Sequence, residues 1–354
     1  MSLEDQRQKI DAIDTELIRL LNERADVVHE IGAIKRKHGL EIYAPEREEL
    51  LLRSLLKKGE GGRLPETSIR AIYREIMSAA LALEEDLKIA YLGPAGTWTH
   101  QAAIGKFGHS VKYLPQPSFA DVFDQVTRRI ADYGVVPIEN STEGATRDIF
   151  QLFVTHPLKI CAKVAVPVDI CLMANRPLED IRRIYGHSST IAAIRHWLAR
   201  QDRDYECLET SSTAKAAEQA STDPVAGAVG NRLAADLYGL ATVVSKIQDE
   251  TTVARFSVVG RRSSPPTGND QTLIMVGGDE MGRNLVDVLE TLESRGVETV
   301  RVDGHEVQSD GGRVASLVRT EVTGHAEEPP LAEAIATLRE KGKTVTILGS
   351  YPQS

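Results

Sequence analysis

The stretch LEDQRQKIDAIDTELIRLLNERADVVHEIGAI (3–34) decides how the first part of this chain folds. Its apolar residues recur at alternating steps of three and four, which is the spacing of a coiled-coil seam. The seam positions are Leu3, Gln6, Ile10, Ile13, Leu17, Leu20, Arg24, Val27, Ile31 and Ile34. The pattern predicts a single helix of roughly thirty residues or more.

Two further helices follow before about residue 87. Gly39 ends the first helix, and Pro45 begins a second over EREELLLRSLLKK (46–58). The segment GEGGRLPE leads into a third over ETSIRAIYREIMSAALALEE (66–85). Proline at the first turn and glycine after the last are usual helix boundaries. We therefore expect an all-α domain of three helices over residues 1–87.

From residue 88 the pattern changes to short apolar strands, each followed by a loop rich in Gly, Ser or Thr and then by a helix. The units are KIAYLGPAGTWTHQAAIGKF (88–107), DYGVVPIENSTEGATRDIFQLF (132–153), IRRIYGHSSTIAAIRHWLA (181–199), ECLETSSTAKAAEQA (206–220) and GAVGNRLAADLYGL (227–240). This alternation predicts an α/β domain over 88–262, with a ligand cleft where the loops meet at the strand ends.

The composition RRSSPPTGND (261–270) indicates a linker to a last domain. Residues 271–354 then read strand, helix, strand, strand, helix, strand. That βαββαβ order predicts an α+β domain of ferredoxin-like type. Such domains often sense ligands or form dimers.

Composition excludes several classes of function. A net charge of -9 argues against nucleic acid or an anionic membrane as a partner, and no apolar run approaches the length of a membrane span. The N-terminus MSLEDQRQKID is polar and acidic, so no secretory signal is expected. Cys161, Cys171 and Cys207 are widely separated, which suggests no disulfide framework and no metal site. We expect a cytoplasmic protein without a cofactor.

Arg24 occupies a seam position where the pattern requires an apolar residue. Either its charged end reaches solvent past a helix face, or it forms part of an internal anion site. Lys35 supports the second interpretation, because eleven residues turn it by only about 20° from Arg24 around the helix. Arg47, Glu48 and Glu84 add charged groups in the next two helices.

These positions resemble the all-helical chorismate mutase domain over nearly all of residues 1–87. The matching positions are Arg7 in DQRQKID, Arg24 in LLNERA, Lys35 in IGAIK, Arg47 and Glu48 in PERE, and Glu84 in LALEE. The resemblance implies that all six bind chorismate during its rearrangement to prephenate. The three arginines would clamp the two carboxylates, and Lys35 and Glu84 would be catalytic, donating hydrogen bonds to the ether oxygen.

Two expectations follow for this site. Glu84 donates a hydrogen bond only while protonated, so mutase activity should fall as pH rises. Arg7 and Lys35 are separated by 28 residues, or about 42 Å along one helix, and cannot grip one small molecule from the same chain. If both serve one site, Arg7 comes from a second subunit, so we expect an interlocked homodimer, alone or within a higher homo-oligomer. Ala44 and Ala80 replace polar ligands of some family members, which should weaken binding modestly.

The segments YLGPAGTWTHQAA (91–103), PIENSTEGA (137–145), LYGL (237–240) and the Arg255-Phe256 pair resemble prephenate dehydratase in order and spacing. The resemblance implies a two-lobed domain like that of periplasmic binding proteins, followed by an ACT domain, as in the bifunctional phenylalanine-branch enzyme. Prephenate made at the first site would become phenylpyruvate at the second. The substrate-binding residues implied are Thr97, Glu139, Asn140, Ser141, His187, Ser189, Arg255 and Phe256. For Arg255, pairing with a structural acid is an equal alternative.

The dehydratase motif departs from the family at its acid. The family has a threonine directly before Arg-Phe, and this chain has Ala254. On an extended chain Thr252 would share a face with Ala254 about 6.6 Å away, so Thr252 is our expected catalytic acid, with His187 as an alternative. A non-aromatising prephenate decarboxylase, or a non-catalytic binding module attached to a working mutase, stays open. In the last domain, GRNL (282–285) and DGHE (303–306) replace the family's phenylalanine-binding stretches, so we expect dimerisation there.

Overall fold

A computed structural model of the chain describes residues 2–139, 147–308 and 314–353. The chain forms two compact units. The first comprises Met1–Ala44, Leu52–Leu87 and Phe107–Lys112, and the second comprises Pro45–Leu51, Lys88–Lys106 and Tyr113–Ser354.

The three helices predicted before residue 87 are confirmed as α1 (Leu3–His38), α2 (Pro45–Gly59) and α3 (Glu66–Glu84). α1 is one unbroken helix of 36 residues, with Ser2 as its N-cap and Gly39 in the left-handed conformation at its end. No helix in the described ranges combines the length and apolarity that crossing a membrane requires.

The apolar seam of α1 is largely uncovered within one chain. Its exposed apolar positions are Leu3, Ile10, Ile13, Leu17, Leu20, Val27, Ile31 and Ile34, with exposures from 41% at Ile31 to 69% at Leu3. Only Val28 and Gly32 of α1 are buried. An exposed apolar stripe of this length is an interaction surface by its chemistry.

The predicted α/β domain is confirmed, and it is divided into two lobes. The first lobe holds a five-stranded sheet in the order β2-β1-β3-β10-β4. Its strands are β1 (Lys88–Leu92), β2 (Lys112–Gln116), β3 (Tyr133–Glu139), β4 (Lys159–Pro167) and β10 (Val253–Gly260), with helices α4 (Trp98–Phe107), α5 (Phe119–Thr127) and α6 (Arg147–Thr155). β1 and β3 are parallel, whereas β10 is antiparallel to both β3 and β4.

The second lobe has its own five-stranded sheet, in the order β7-β6-β8-β5-β9. The strands are β5 (Cys171–Ala174), β6 (Arg183–His187), β7 (Glu206–Thr210), β8 (Ala226–Gly230) and β9 (Ala241–Val244), and the helices are α7 (Ser188–Ala192), α8 (Arg195–Ala199), α9 (Thr213–Thr222) and α10 (Arg232–Leu237), with a 3-10 turn at Leu178–Asp180. The chain enters this lobe after β4 and returns to the first sheet at β10.

The predicted βαββαβ order of the last domain is also confirmed. Its elements are β11 (Asp270–Gly278), α11 (Met281–Ser294), β12 (Thr299–Gln308), β13 (Val314–Thr323), α12 (Leu331–Glu340) and β14 (Thr344–Pro352). They form an antiparallel sheet in the order β12-β13-β11-β14, which is the ferredoxin-like arrangement.

The ferredoxin-like sheet is buried on two sides. One face packs under α11 and α12, and the other shares a core with the first lobe through Leu273, Met275 and Leu348. At Gly349 the two backbones meet, since a β carbon there would lie 2.0 Å from the carbonyl oxygen of Ile160. Only glycine is compatible with this contact between β14 and β4.

Candidate active sites

An ion pair between α1 and α3 forms the centre of the helical segment. Lys35 Nζ lies 2.9 Å from Glu84 Oε2 and also donates to the carbonyl oxygen of Ile42 at 2.6 Å. The side chains of Lys35 and Glu84 are only 20% and 8% exposed. The structure therefore brings together the two predicted catalytic groups in a largely water-excluded position, where electrostatic interactions are strong.

Gly32 explains how α3 approaches α1 closely enough to form this pair. A β carbon at Gly32 would lie 3.2 Å from Glu84 Cγ and 3.3 Å from Glu84 Cα. Gly32 and Lys35 are three residues apart, so they lie on one face of α1. The Arg36 guanidinium also donates to the backbone oxygen of Glu84, which satisfies a carbonyl at the end of α3.

Arg24 lies farther along the same groove between α1 and α3. It is half-buried and lines a cavity of about 260 Å³ together with Glu75, Ala80 and apolar residues of both helices. Ala80 is one helical turn before Glu84, and Arg24 is about 16 Å from Lys35 along the helix axis. The remaining lining residues are Glu75 and apolar or small side chains, so the anion-binding role of Arg24 stays a prediction.

The other predicted mutase residues are exposed or already engaged. Arg7 is exposed at the start of α1, 3.7 Å from Glu4. The unbroken helix keeps it far from Lys35 of the same chain, as the spacing predicts. Arg47 is exposed on α2. Glu48 forms an ion pair of 2.7 Å with Lys106 of α4, so this carboxylate has a structural partner that the sequence did not suggest.

The predicted cleft at the strand ends is present between the two lobes of the α/β domain. A cavity of about 490 Å³ is lined by Leu92, Gly93, Pro94, Thr97, Pro115, Gln116, Pro117, Ser211 and Ser212. These residues end or follow β1 and β2 in the first lobe and follow β7 in the second. Ligands of open α/β sheets bind at such carboxyl edges, and the volume suits a small molecule.

Thr97 is the predicted site residue that lines this cleft. It is buried, its Oγ1 donates to the Leu92 carbonyl at 2.9 Å, and it accepts from the backbone N–H of His100 at 3.3 Å. On the opposite wall, Ser212 caps α9 by accepting from the N–H of Lys215 at 3.1 Å. Both hydroxyls are therefore held in fixed positions at helix starts.

Two buried polar groups behind Ser212 were missed by sequence reasoning. Within the described residues, Thr213 Oγ1 and Asn231 Nδ2 have no hydrogen-bond partner. Asn231 caps α10, because its Oδ1 accepts from the N–H of Ala234 at 2.8 Å. The side-chain N–H groups of Asn231 then remain for a ligand. Because unpaired buried polar groups cost free energy, these two are suited to a polar ligand. An asparagine directly after a strand and before a helix was the signal that could have found them.

His100 organises the loop on the first-lobe side of the cleft. Its ring stacks on Tyr91 at 4.4 Å, and its Nδ1 accepts from the N–H of Gly96 at 3.1 Å. Burial lowers the pKa of His100 to about 4 and raises the pKa of Tyr91 to about 12. Both rings are thus neutral at neutral pH. Tyr238 at the end of α10 donates to the Ala95 carbonyl at 3.1 Å and so connects this loop to the second lobe.

β10 places the residues around the missing threonine on two different faces. Ala254 and Phe256 are buried, at 3% and 1% exposure, whereas Arg255 projects from the other face and lines a separate cavity beside Lys163 and Glu321. The expected contact of Arg255 with a substrate carboxylate in the cleft is not supported by this position. Phe256 is a core residue, because it lies two residues after Ala254 on β10 and its side chain therefore points to the same buried face.

The remaining predicted dehydratase residues are less converged. β10 is antiparallel to β3, with Arg255 opposite Glu139, so Thr252 lies at the sheet edge where β3 ends. Thr252 is exposed and precedes the strand. His187 Nδ1 lies 2.8 Å from Ser189 Oγ and accepts from the N–H of Ser189, which makes His187 the N-cap of α7. Asn140, Ser141 and the side chain of Glu139 lie outside the described residues.

Comparisons with known proteins define the class of enzyme. The sequence model of chorismate mutase type II matches residues 6–85, and that of prephenate dehydratase matches residues 89–264. A bifunctional chorismate mutase/prephenate dehydratase of Aquifex aeolicus is 38% identical, with 99% of this chain and 98% of that protein covered. One of Neisseria gonorrhoeae is 35% identical, with 98% and 96% covered.

A solved structure agrees with the second half of this assignment. Prephenate dehydratase of Arthrobacter aurescens, in complex with L-Phe, has a TM-score of 0.68 and 28% identity, covering 75% of this chain and 90% of that one. The two family models and these relatives define a fused mutase and dehydratase. The chain belongs to the bifunctional chorismate mutase/prephenate dehydratase family, so the bifunctional prediction is confirmed.

Proposed function

We propose that the helical segment (1–87) converts chorismate to prephenate in the groove between α1 and α3, and that the α/β segment (88–262) converts prephenate to phenylpyruvate between its lobes. The observation that carries the first half is the shielded Lys35–Glu84 pair. The cleft at the carboxyl edges of both sheets carries the second half.

The mutase reaction is an internal rearrangement and requires no nucleophile. Lys35 donates a hydrogen bond to the ether oxygen as negative charge builds on it, and Glu84 donates a second one once the bound substrate has replaced its ion pair with Lys35 and the carboxyl group carries a proton. Arg24 and Arg47 hold the two carboxylates, which keeps the substrate in its compact conformation. Arg7 is contributed by a second subunit, and the exposed seam of α1 supports an interlocked homodimer in which that seam is covered.

In the dehydratase reaction prephenate loses carbon dioxide from its ring while the ring hydroxyl leaves as water, after an acid supplies a proton. Thr97 and Ser212 bind the substrate from opposite walls of the cleft, and the Thr213 hydroxyl and the Asn231 amide N–H groups are further donors for its polar groups. Thr252 supplies the proton in place of the absent hydroxyl at Ala254. A fixed set of hydroxyl and amide groups suits a dicarboxylate substrate.

The C-terminal domain (271–354) serves as an ACT-type dimerisation domain. Asn284, in the GRNL stretch, is fully buried, and its Nδ2 donates to the carbonyl of Val276 at 2.9 Å. The Asn284 side chain thus occupies the space at the start of α11 with a polar group of the protein. We therefore expect phenylalanine to bind this domain weakly.

One experiment tests the two reactions together. Purified protein receives chorismate, and the product is identified by mass and ultraviolet spectrum. Phenylpyruvate is the expected product. A dihydro-hydroxyphenylpyruvate would instead indicate a non-aromatising decarboxylase. Accumulating prephenate would indicate that the α/β segment is a non-catalytic binding module.

A further inference from the structure

The loop after α4 packs against α3 within the compact unit that contains α1 and α3. Phe107–Lys112 belongs to this unit, although it lies beyond residues 6–85, which the chorismate mutase model matches. Gly108 permits the close approach, since a β carbon there would lie 2.5 Å from Ser78 Cβ. Its φ of +72° is also a backbone conformation that favours glycine.

Backbone N–H groups of this loop bind two side chains of α3. The N–H of His109 donates to Glu75 Oε2 at 3.1 Å, and the N–H of Ser110 donates to Ser78 Oγ at 3.0 Å. Ser78 is buried, with 1% exposure. Glu75 and Ser78 are three residues apart, so they lie on one face of α3. The loop is therefore bound to that face at two neighbouring positions.

The ring of His109 makes a second contact with Glu75. Its Nδ1 lies 3.1 Å from Glu75 Oε1, and because an ionised carboxylate only accepts, Nδ1 is the donor. Each oxygen of this carboxylate thus receives a hydrogen bond from His109. Partial burial raises the pKa of Glu75, but the hydrogen bonds from His109 and Arg74 outweigh burial and hold that pKa below its ordinary value. Glu75 is therefore ionised at neutral pH.

The ionised Glu75 lines the same cavity as Arg24. Among the described residues around this cavity, Arg24 and Glu75 carry the charges, and the other lining side chains are apolar. Arg24 has no hydrogen bond or ion pair within the described part of the chain. A carboxylate without other partners in the same cavity would pair with this guanidinium, because such pairs form strong hydrogen bonds. Arg24 would then be occupied when a substrate carboxylate arrives.

We propose that His109 is a positioning residue of the mutase, which holds the Glu75 carboxylate so that Arg24 stays available to a carboxylate of chorismate. This inference rests on the proposed mutase site between α1 and α3. His109 lies within residues 89–264, which the prephenate dehydratase model matches. The mutase reaction of this chain therefore depends on a residue from outside its own helical segment.

Steady-state mutase kinetics of full-chain variants test this role. His109→Ala should raise the KM for chorismate by about threefold to fivefold, the size of an exposed ion pair, and change kcat by less than about twofold. His109→Asn should keep the wild-type KM, because its amide N–H replaces the Nδ1 donor. Glu75→Gln should have the same KM with or without His109→Ala, since an amide does not compete for Arg24. His196→Ala is the matched control and should leave KM unchanged, because His196 is likewise exposed and paired with a carboxylate, that of Asp249 at 3.3 Å.

Arg24→Ala separates a failure of this inference from a failure of the proposed site. It should raise the KM for chorismate by about tenfold or more, because a charge-assisted contact is lost. An unchanged KM in Arg24→Ala would overturn the proposed site and this inference with it. A raised KM in Arg24→Ala beside a wild-type KM in His109→Ala would overturn this inference alone. So would an equal rise of KM on His109→Ala with Glu75 and with Gln at that position, since that effect would be structural only.

Discussion

Glu84 and Lys35 lie 2.9 Å apart because α3 crosses α1 directly over Gly32. A methyl group at Gly32 would press on Glu84 and displace it by a few tenths of an ångström. Gly32→Ala should therefore lower the mutase rate by roughly ten- to a hundredfold, since small misplacements of catalytic groups are costly. Chorismate consumption measures this effect, and Gly282→Ala, whose β carbon meets nothing within 4 Å, is the control.

Glu84→Gln tests whether Glu84 acts as a hydrogen-bond donor. An amide can donate a hydrogen bond to an ether oxygen, whereas an ionised carboxylate can only accept one. Glu84→Gln should therefore keep most of the mutase activity, and Glu84→Ala should lose it. Chorismate consumption measures both variants, and equal losses would contradict the donor role of Glu84.

Mixing inactive subunits tests whether Arg7 acts across the dimer. Arg7→Ala and Lys35→Met should each be nearly inactive alone, but after unfolding together and refolding they should regain about a quarter of wild-type mutase activity, since half the dimers are mixed and each holds one intact site. Lys35→Met mixed with Glu84→Ala is the control. Lys35 and Glu84 of one site come from the same subunit, so every site in this mixture lacks one of the two and no activity should return.

The residue before Arg255 tests the dehydratase chemistry. Ala254→Thr restores the hydroxyl of the family motif, and we expect phenylpyruvate formation from prephenate to rise by about tenfold or more. Thr252→Val should lose far more dehydratase activity than Thr251→Val. Equal activities of the two valine variants would exclude Thr252 as the acid.

His100 makes the stability of the catalytic domain depend on pH. Its folded pKa of about 4 lies below the ordinary 6.5, so the unfolded chain takes up the proton first as pH falls. The contribution of neutral His100 to the free energy of unfolding is fully present above pH 6.5 and is lost progressively towards pH 4. Between pH 7 and 5 the loss should reach about 2 kcal/mol. His100→Asn keeps the acceptor for Gly96, and its thermal midpoint should fall less over that interval; parallel curves would contradict the assignment.

The sequence predicted the elements because their signals are local. The seam of α1, the strand–loop–helix units and the βαββαβ order depend on spacing within one segment, and all three are confirmed. Lys35 and Glu84 could be paired in advance only through the family resemblance. Their contact depends on a crossing at Gly32, which no periodicity reveals.

The misplaced expectations share a different cause. Arg255 was a candidate for the cleft because the family motif to which it belongs borders the cleft. Successive side chains of a strand point to opposite faces of the sheet, however, so Arg255 lines a different cavity, next to the C-terminal domain. Glu48 was expected to bind substrate, but its carboxylate forms an ion pair with Lys106, which is 58 residues away in the sequence. Thr213 and Asn231 were not predicted as site residues, because a helix cap and a ligand group have the same sequence signal.

The backbone contact between Gly349 and Ile160 has a consequence for how enzymes of this architecture can be recombined. A C-terminal domain taken from another protein would need a glycine at that point of its last strand, or its side chain would collide with β4. Cutting the chain after the linker would likewise expose the apolar face that Leu273, Met275 and Leu348 cover. The last domain is therefore inherited together with the sheet beneath it, and chimaeras should exchange both as one piece.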